Sequence, residues 1–178
     1  MSPHPKPSDF ETRCNAAYTA LMWAMSRPGL PRDMPQSGQA PILETLIDRE
    51  CSVYCETPEL TNIARRTGAA LIDACQADHL FFERLENAAL LRGVRSGSDL
   101  HPEDGATLVL GADFGQGQNL RLSGPGVDGA VDVVIGGVPT DLWAIRDQTM
   151  RYPMGFDIFL VDGAQIIGLP RSVNVEVL

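Results

Sequence analysis

Lysine is almost absent from this sequence. Of its 178 residues, 14 are Lys or Arg, and Lys6, in the proline-rich start of the chain, is the one lysine among them. A phosphate-binding loop of the Walker type, a Schiff base with pyridoxal phosphate and a lysine nucleophile each need a lysine in the folded body of a protein. The sequence therefore excludes these three kinds of site, and we expect no bound cofactor.

Positive charge is also scarce, since the formal net charge is −9. A nucleic-acid-binding protein needs clustered Lys and Arg, and Arg65-Arg66 is the one close basic pair in a predicted helix. No stretch approaches the roughly 18 apolar residues of a membrane span, and the N-terminus has no signal-peptide pattern. We therefore expect a soluble, cytoplasmic protein that binds neither nucleic acid nor a membrane.

Histidine is limited to three positions, His4, His79 and His101. A serine or cysteine triad needs a histidine base, but His4 lies in the N-terminal tail and His101 lies in a predicted loop over residues 96–105. One alternative function is a self-sufficient small-molecule hydrolase or transferase that uses His101 and nearby carboxylates. No arrangement of residues stands out as catalytic, so the catalytic residues remain unknown.

Four cysteines are present, and a reducing cytoplasm would keep them as thiols. Cys14 lies apart from the others. Cys51 and Cys55, together with Cys75 and His79, resemble a four-ligand zinc set, which would suit a metal-dependent regulatory module. However, Cys51 and Cys55 are separated by more residues than the two cysteines of a zinc knuckle. Strand alternation would also place both of them on a buried face with Val53. We expect free thiols and no metal site.

Helical and strand patterns interleave along the whole chain, which is typical of an α/β fold. A disordered, proline-rich tail is expected over residues 1–8 and one domain over residues 9–178. The predicted helices are 9–26, 42–47, 58–67, 83–91 and 139–149, and the predicted strands are 52–55, 78–82, 106–110, 119–122, 156–161 and 164–169.

The first helix has the clearest local signals. Ser8 and Glu11 form a capping-box pattern at its start, and Pro28-Gly29 ends it. Apolar residues at steps of three and four predict one buried stripe, which comprises Phe10, Cys14, Ala17, Tyr18, Leu21, Met22 and Met25.

The sequence from Gly124 to Gly129 matches the dinucleotide-binding pattern G-x-G-x-x-G. In a dinucleotide site this pattern opens a helix whose N-terminus receives the pyrophosphate, whereas residues 130–135 have a strand-like pattern. We therefore interpret the segment as a glycine-rich connection.

Arg171 is a candidate anchor or interaction residue, because it follows Pro170 at the exit of a predicted hairpin whose turn contains Asp162-Gly163. A guanidinium group at this place would hold a carboxylate or phosphate bidentately or form a structural ion pair.

An ordered set of short motifs, from about residue 10 to the C-terminus, resembles the PhnH family of the bacterial carbon–phosphorus lyase machinery. The two most telling are Tyr152-Pro153-x-Gly155-x-Asp157 and the later Leu169-Pro170-Arg171-Ser172. The others are Met25-Ser26-Arg27-Pro28-Gly29, Glu44-Thr45-Leu46, Thr57-Pro58, the stretches 105–110 and 120–126, and Val175-Glu176-Val177.

The resemblance implies a three-layer α/β/α fold with a mixed sheet, similar to the large domain of pyridoxal-phosphate-dependent transferases but without the cofactor. It also implies a homodimer that assembles with the G, I and J subunits. With the G, I and L subunits, such proteins are needed to transfer the ribose triphosphate moiety of ATP to an alkylphosphonate. The chain alone is expected to be catalytically silent, and the resemblance assigns it no catalytic residue.

Overall fold

The computed structural model describes residues 6–178 of the chain. Within this range the α-helices are α1 (Asp9–Ser26), α2 (Ala40–Leu46), α3 (Pro58–Thr67) and α4 (Leu142–Thr149). The strands are β1 (Arg32–Asp33), β2 (Ser52–Cys55), β3 (Ala70–Leu71), β4 (His79–Phe82), β5 (Thr107–Gly111), β6 (Asp113–Ser123), β7 (Ala130–Gly136), β8 (Asp157–Asp162), β9 (Gln165–Leu169) and β10 (Asn174–Val177). Two 3₁₀ helices span Ala88–Gly93 and Pro102–Asp104.

The larger sheet has seven strands in the order β1-β9-β8-β5-β4-β2-β3. From β8 to β3 all neighbouring strands are parallel, whereas β9 pairs antiparallel with both β8 and β1. The predicted α/β class with a mixed sheet is therefore confirmed. A smaller antiparallel sheet has the order β10-β6-β7.

Both faces of the larger sheet are covered. Side chains alternate across a strand, so Phe81 packs on one face with α1, α2 and α3, while Leu80 and Phe82 pack on the other. That second face is covered by α4, the 3₁₀ helix at Ala88–Gly93 and the smaller sheet. The parallel strands are thus buried on both sides, as their continuous apolar sequences require.

The capping box at the start of α1 is confirmed: the backbone N–H of Glu11 donates to the Ser8 hydroxyl, and the Glu11 carboxylate accepts from the Ser8 backbone N–H. Ser8 belongs to the segment that we expected to be a disordered tail, of which residues 1–5 lie outside the described residues.

The predicted buried stripe of α1 is largely wrong. Ala17 and Leu21 are buried, but their buried companions are Ala20 and Ala24, whereas Phe10, Tyr18 and Met22 are about half exposed, at 48%, 51% and 53%. The reason is the close approach of α1 to β9. A Cβ atom on Gly168 would lie 2.6 Å from backbone atoms of Ala24, so this helix face carries small residues and its larger apolar side chains point elsewhere.

The middle of the chain follows its local signals more closely. The predicted cap of α3 is confirmed, because Thr57 accepts a hydrogen bond from the Leu60 N–H and Gly68 ends the helix at φ 86°. The predicted helix over residues 83–91 is wrong, since the chain forms only the 3₁₀ helix at Ala88–Gly93. The Arg84 N–H donates to the Glu56 carboxylate at 3.1 Å instead of to a helical carbonyl oxygen.

The connection from β6 to β7 contains the G-x-G-x-x-G segment and joins two antiparallel strands. No helix follows it, so the interpretation as a glycine-rich connection is confirmed. The strand predicted over residues 119–122 is longer in the structure, because residues 113–118 also belong to β6, with a shift of register between Phe114 and Gln118. No helix in the described part of the chain is long and apolar enough to cross a membrane.

Candidate ligand-binding cleft at the carboxyl edge of the sheet

A cleft of about 330 Å³ lies where the parallel strands β2, β4, β5 and β8 end. The residues that follow these four strands line it, together with the segment Ser37–Ala40 that leads into α2. β2 has β3 on one side and β4 on the other, so the chain changes direction across the sheet at this point. In open α/β sheets ligands bind in the crevice outside the carboxyl ends of the strands at such a point.

Gln39 contributes a buried amide to the cleft wall. Its side-chain Nε2 donates to the Phe82 carbonyl oxygen at 2.7 Å, at the end of β4. The residue is 8% exposed, and its Oε1 has no hydrogen-bond partner among the described residues. A buried polar atom without a partner is uncommon in a folded protein.

The lip of the cleft is fixed by backbone contacts. The Gly38 N–H donates to the Gly163 carbonyl oxygen at 2.8 Å, which ties the segment before α2 to the β8–β9 turn. At the end of β5, a Cβ atom on Gly111 would collide with the Glu83 carbonyl oxygen. Glycine therefore allows β4 and β5 to stay close where they reach the cleft.

The charges along the cleft are mostly negative. Glu59, Glu83 and Asp162 line it, and Arg84 is the one basic residue that does so among the described residues. The Arg84 guanidinium pairs with the Asp113 carboxylate at 2.8 Å. Hydrogen bonding between the two lowers the pKa of Asp113 and raises that of Arg84.

Arg171 lies at the opposite end of β8 from the cleft, beside Asp157. Its Nη2 is 2.6 Å from Asp157 Oδ2, and its backbone N–H donates to Asp157 Oδ1 at 2.7 Å. The guanidinium also donates to the carbonyl oxygens of Pro102 and Gly105. Arg171 thus joins β8, the segment after β9 and the loop before β5 by an internal ion pair. Its role as an anchor for another molecule stays a prediction.

A second arginine supports the same corner of the fold. Arg146 on α4 is 3% exposed and donates to the carbonyl oxygens of Val173 and Pro170, at 3.1 and 2.9 Å. Burial lowers its pKa to about 10. Sequence reasoning did not single out this residue, because an arginine on a short amphipathic helix looks like a solvent-facing one.

His101 does not line the cleft. Its side chain is exposed, and its Nδ1 lies 3.2 Å from Oε1 of Glu103, which is also exposed. Asp157 and Asp162 occupy the two ends of β8. His101 and Glu103 therefore lie apart from the cleft, and of the two aspartates only Asp162 lines it.

The proposed zinc ligands do not form a cluster: within residues 6–178 no three His, Cys, Asp or Glu side chains are placed to hold a metal ion. All four cysteines are free thiols. The expected burial of Cys51 and Cys55 with Val53 is only partly correct, because Val53 is fully buried and both cysteines are half-buried. Loss of solvation raises the pKa of Cys55 to about 11.

Sequence reasoning missed Gln39 and Arg84. The position of Arg84 could have been predicted from the strand assignments, since the residues that follow parallel strands meet at one edge of a sheet. Gln39 lies in a proline- and glycine-rich segment and precedes a short helix, and nothing in that local pattern indicates burial.

Two comparisons with known proteins bear on this chain. The family model of PhnH, described as a bacterial phosphonate metabolism protein, matches residues 7–176. A protein of Stutzerimonas stutzeri, named as a putative C-P lyase subunit protein HtxG, is 31% identical over 170 residues, which cover 92% of this chain and 86% of that protein.

Proposed function

Because this chain belongs to the PhnH family of bacterial phosphonate metabolism proteins, we propose that it is a subunit of a carbon–phosphorus lyase assembly. The observation that carries the proposal is the match over residues 7–176, together with the relative that is named as a putative C-P lyase subunit. The match extends through the strands that build the cleft and through the segment that contains Arg171, so it covers nearly all of the described residues.

The proposed task is to act with the G, I and L subunits in transferring the ribose triphosphate moiety of ATP to an alkylphosphonate. The chain itself would supply structure or binding to this reaction rather than a reactive group. Two features support this division of labour. The described cleft lining contains no histidine, lysine or cysteine, and the His101–Glu103 pair lies in solvent outside it.

Partner subunits and a second copy of the chain are proposed as its binding partners. Large apolar side chains that are exposed together on a protein surface mark sites that other proteins cover when they assemble with it. Here Phe10, Tyr18 and Met22 of α1 and Tyr152, which is 73% exposed, are available for such contacts. We also propose that residues 9–178 of this chain form a single domain. The assembly is proposed to be cytoplasmic.

The proposed kinship with the large domain of pyridoxal-phosphate-dependent transferases is one of architecture only. The seven-stranded mixed sheet with covered faces agrees with that comparison. The single lysine, Lys6, is exposed and lies before α1, which supports a fold that works without the cofactor.

Growth on phosphonate tests the proposal. A bacterium that carries a complete carbon–phosphorus lyase operon, and from which the corresponding subunit has been deleted, is supplied with this chain and with methylphosphonate as the sole phosphorus source. We expect growth to be restored, while growth on inorganic phosphate is the same with and without the chain. Expression of the folded chain without restored growth on methylphosphonate would contradict the proposal.

A further inference from the structure

The smaller sheet ends in an open edge strand, β7. It pairs with β6 on one side, and no strand of residues 6–178 pairs with it on the other. The other edge strands of the two sheets are short, since β1 and β3 have two residues each and β10 has four. β7 has seven residues, so it is the one long open edge in the described part of the chain.

The register of the smaller sheet shows which backbone groups of β7 point away from it. The Leu178 N–H donates to the Asn119 carbonyl oxygen, so the backbone groups of Asn119 face β10. Asn119 lies opposite Val134 of β7. Because hydrogen-bonded and non-hydrogen-bonded pairs alternate along antiparallel strands, the N–H and C=O groups of Val134 and Asp132 point outward. Residues 6–178 provide no hydrogen-bond partner for these groups.

β7 lacks the residues that usually protect an exposed edge. Proteins protect such edges with lysine, proline or a bulge in the edge strand. Residues 130–136 contain neither lysine nor proline, and the pairing with β6 is regular from Ala130 to Val134. The one charged residue, Asp132, is paired with Arg121 of β6. The edge is therefore suited to receive another strand.

Exposed apolar side chains lie beside this edge. The segment after α1 packs against β7, since a Cβ atom on Gly29 would lie 3.3 Å from Val131 and 3.5 Å from Val133. Leu30, the next residue, is 48% exposed, and Trp23, which lies beside the β6–β7 connection, is 43% exposed. A protein that added a strand to β7 would cover these side chains as well, which increases the area of the contact.

We propose that β7 pairs antiparallel with β7 of a second copy of this chain, so that the two smaller sheets join into one sheet across a two-fold axis. The same strand serves both copies, so the contact closes at two copies. Pairing of β7 with β10 of another copy would match seven residues with four and would continue from copy to copy. The inference gives a surface to the self-association that the proposed function includes, and to that extent it rests on the proposed function.

The register of the pairing follows from the length and charge of β7. Val133 is the middle residue of Ala130–Gly136. A two-fold axis at Val133 pairs all seven residues and places Asp132 opposite Val134 of the other copy, and both of these residues have outward backbone groups. An axis at Asp132 would shorten the pairing and place two carboxylates opposite each other, which is destabilising.

Amide hydrogen exchange of the full chain, measured by nuclear magnetic resonance at two protein concentrations, tests the pairing. We expect the outward N–H groups of Asp132 and Val134 to be protected from exchange wherever sedimentation velocity shows a dimer, and to exchange fast where dilution gives the monomer. The Val177 N–H points away from the other edge of the same sheet. It should exchange fast at both concentrations.

A matched pair of variants at Val134 tests the edge itself. Val134→Pro removes an outward N–H and leaves the hydrogen bonds to β6 in place, and proline is tolerated on an edge strand where the N–H faces solvent. This variant should raise the dissociation constant of the dimer by tenfold or more, as expected when a backbone hydrogen bond is lost. Val134→Thr keeps the N–H and the branched side chain, and it should associate as the wild type does.

The exchange measurement on the wild-type chain decides the question even if Val134→Pro fails to fold. Three results would overturn the inference: a chain that is monomeric at both concentrations, a dimer in which the Asp132 and Val134 amides exchange as fast as in the monomer, or protection of these amides only after another subunit is added. The growth test of the proposed function is independent of all three. A monomeric chain that restores growth would refute this inference and leave the role as a subunit standing.

Discussion

Arg171 and Asp157 form the most buried ion pair among the described residues, with side chains that are 16% and 20% exposed. Both the Arg171 guanidinium and its backbone N–H donate to the same carboxylate. The pair joins the start of β8 to the segment after β9, 14 residues later along the chain. The loop before β5 meets them there through the carbonyl oxygens of Pro102 and Gly105, to which the guanidinium also donates.

Arg171→Ala should lower the free energy of unfolding by about 1 to 3 kcal/mol, because it leaves a half-buried carboxylate without its partner. Urea unfolding followed by circular dichroism measures this change. Arg121→Ala is the matched control, since Arg121 pairs with Asp132 on the exposed face of the smaller sheet, where ion pairs contribute little. Equal losses in the two variants would contradict the assignment of Arg171 to a structural ion pair.

Stability should decrease as the pH falls below the ordinary pKa of histidine, owing to His79. Burial lowers the pKa of His79 from 6.5, although the nearby Asp78 and Asp48 oppose the effect. Below pH 6.5 the unfolded chain therefore binds a proton that the folded chain resists, so the free energy of unfolding falls with the pH.

Urea unfolding at about pH 8 and about pH 5.5 measures this dependence. His79→Gln should make the free energy of unfolding less dependent on pH over that range. His101→Gln, at an exposed position, should leave the dependence as it is in the wild type. An unchanged dependence in His79→Gln would show that other groups cause it.

Incubation with pyridoxal phosphate should produce no internal aldimine. A Schiff base of this kind needs a lysine held in a partly desolvated site, and Lys6, the one lysine, is exposed and lies before α1. Absorbance spectroscopy and borohydride reduction followed by mass spectrometry provide the measurement. A reduced adduct on the folded protein at near-equal reagent concentration would refute the prediction.

Cys75 should react first with a thiol reagent such as dithionitrobenzoate. It is exposed, whereas Cys14, Cys51 and Cys55 are half-buried, and loss of solvation raises the pKa of the Cys51 and Cys55 thiols. Because the thiolate is the reactive form, one fast phase is expected in the native protein at about pH 8. Cys75→Ser should remove the fast phase, and a fast phase that persists in this variant would contradict the ranking.

Local signals in the sequence were sufficient wherever a short pattern determines a short structure. The capping box at Ser8, the caps of α3 and the hairpin at Asp162-Gly163 depend on neighbouring residues, and the structure contains each of them. The buried face of α1, by contrast, could not be predicted from neighbouring residues. Its buried face is decided by the close approach to Gly168, more than 140 residues later, and a helical pattern alone does not contain that contact.

The cleft was not predictable for a related reason. Its location follows from the strand order, which places four separate loops at one edge. Gln39 belongs to it because the chain pairs Gly38 with the β8–β9 turn and so carries the amide to the end of β4. Two long-range contacts create this site, and neither has a signature in the residues around Gln39.

Adenine release by purified components is the most direct measurement of the central claim that this chain is an accessory subunit. ATP and methylphosphonate are supplied to the chain alone, to the G, I and L subunits without it, and to all four together. We predict release of adenine only in the complete mixture, and the same rate when His101→Ala replaces the wild-type chain. Turnover of ATP by the chain alone, abolished by His101→Ala, would show that the chain is an enzyme in its own right.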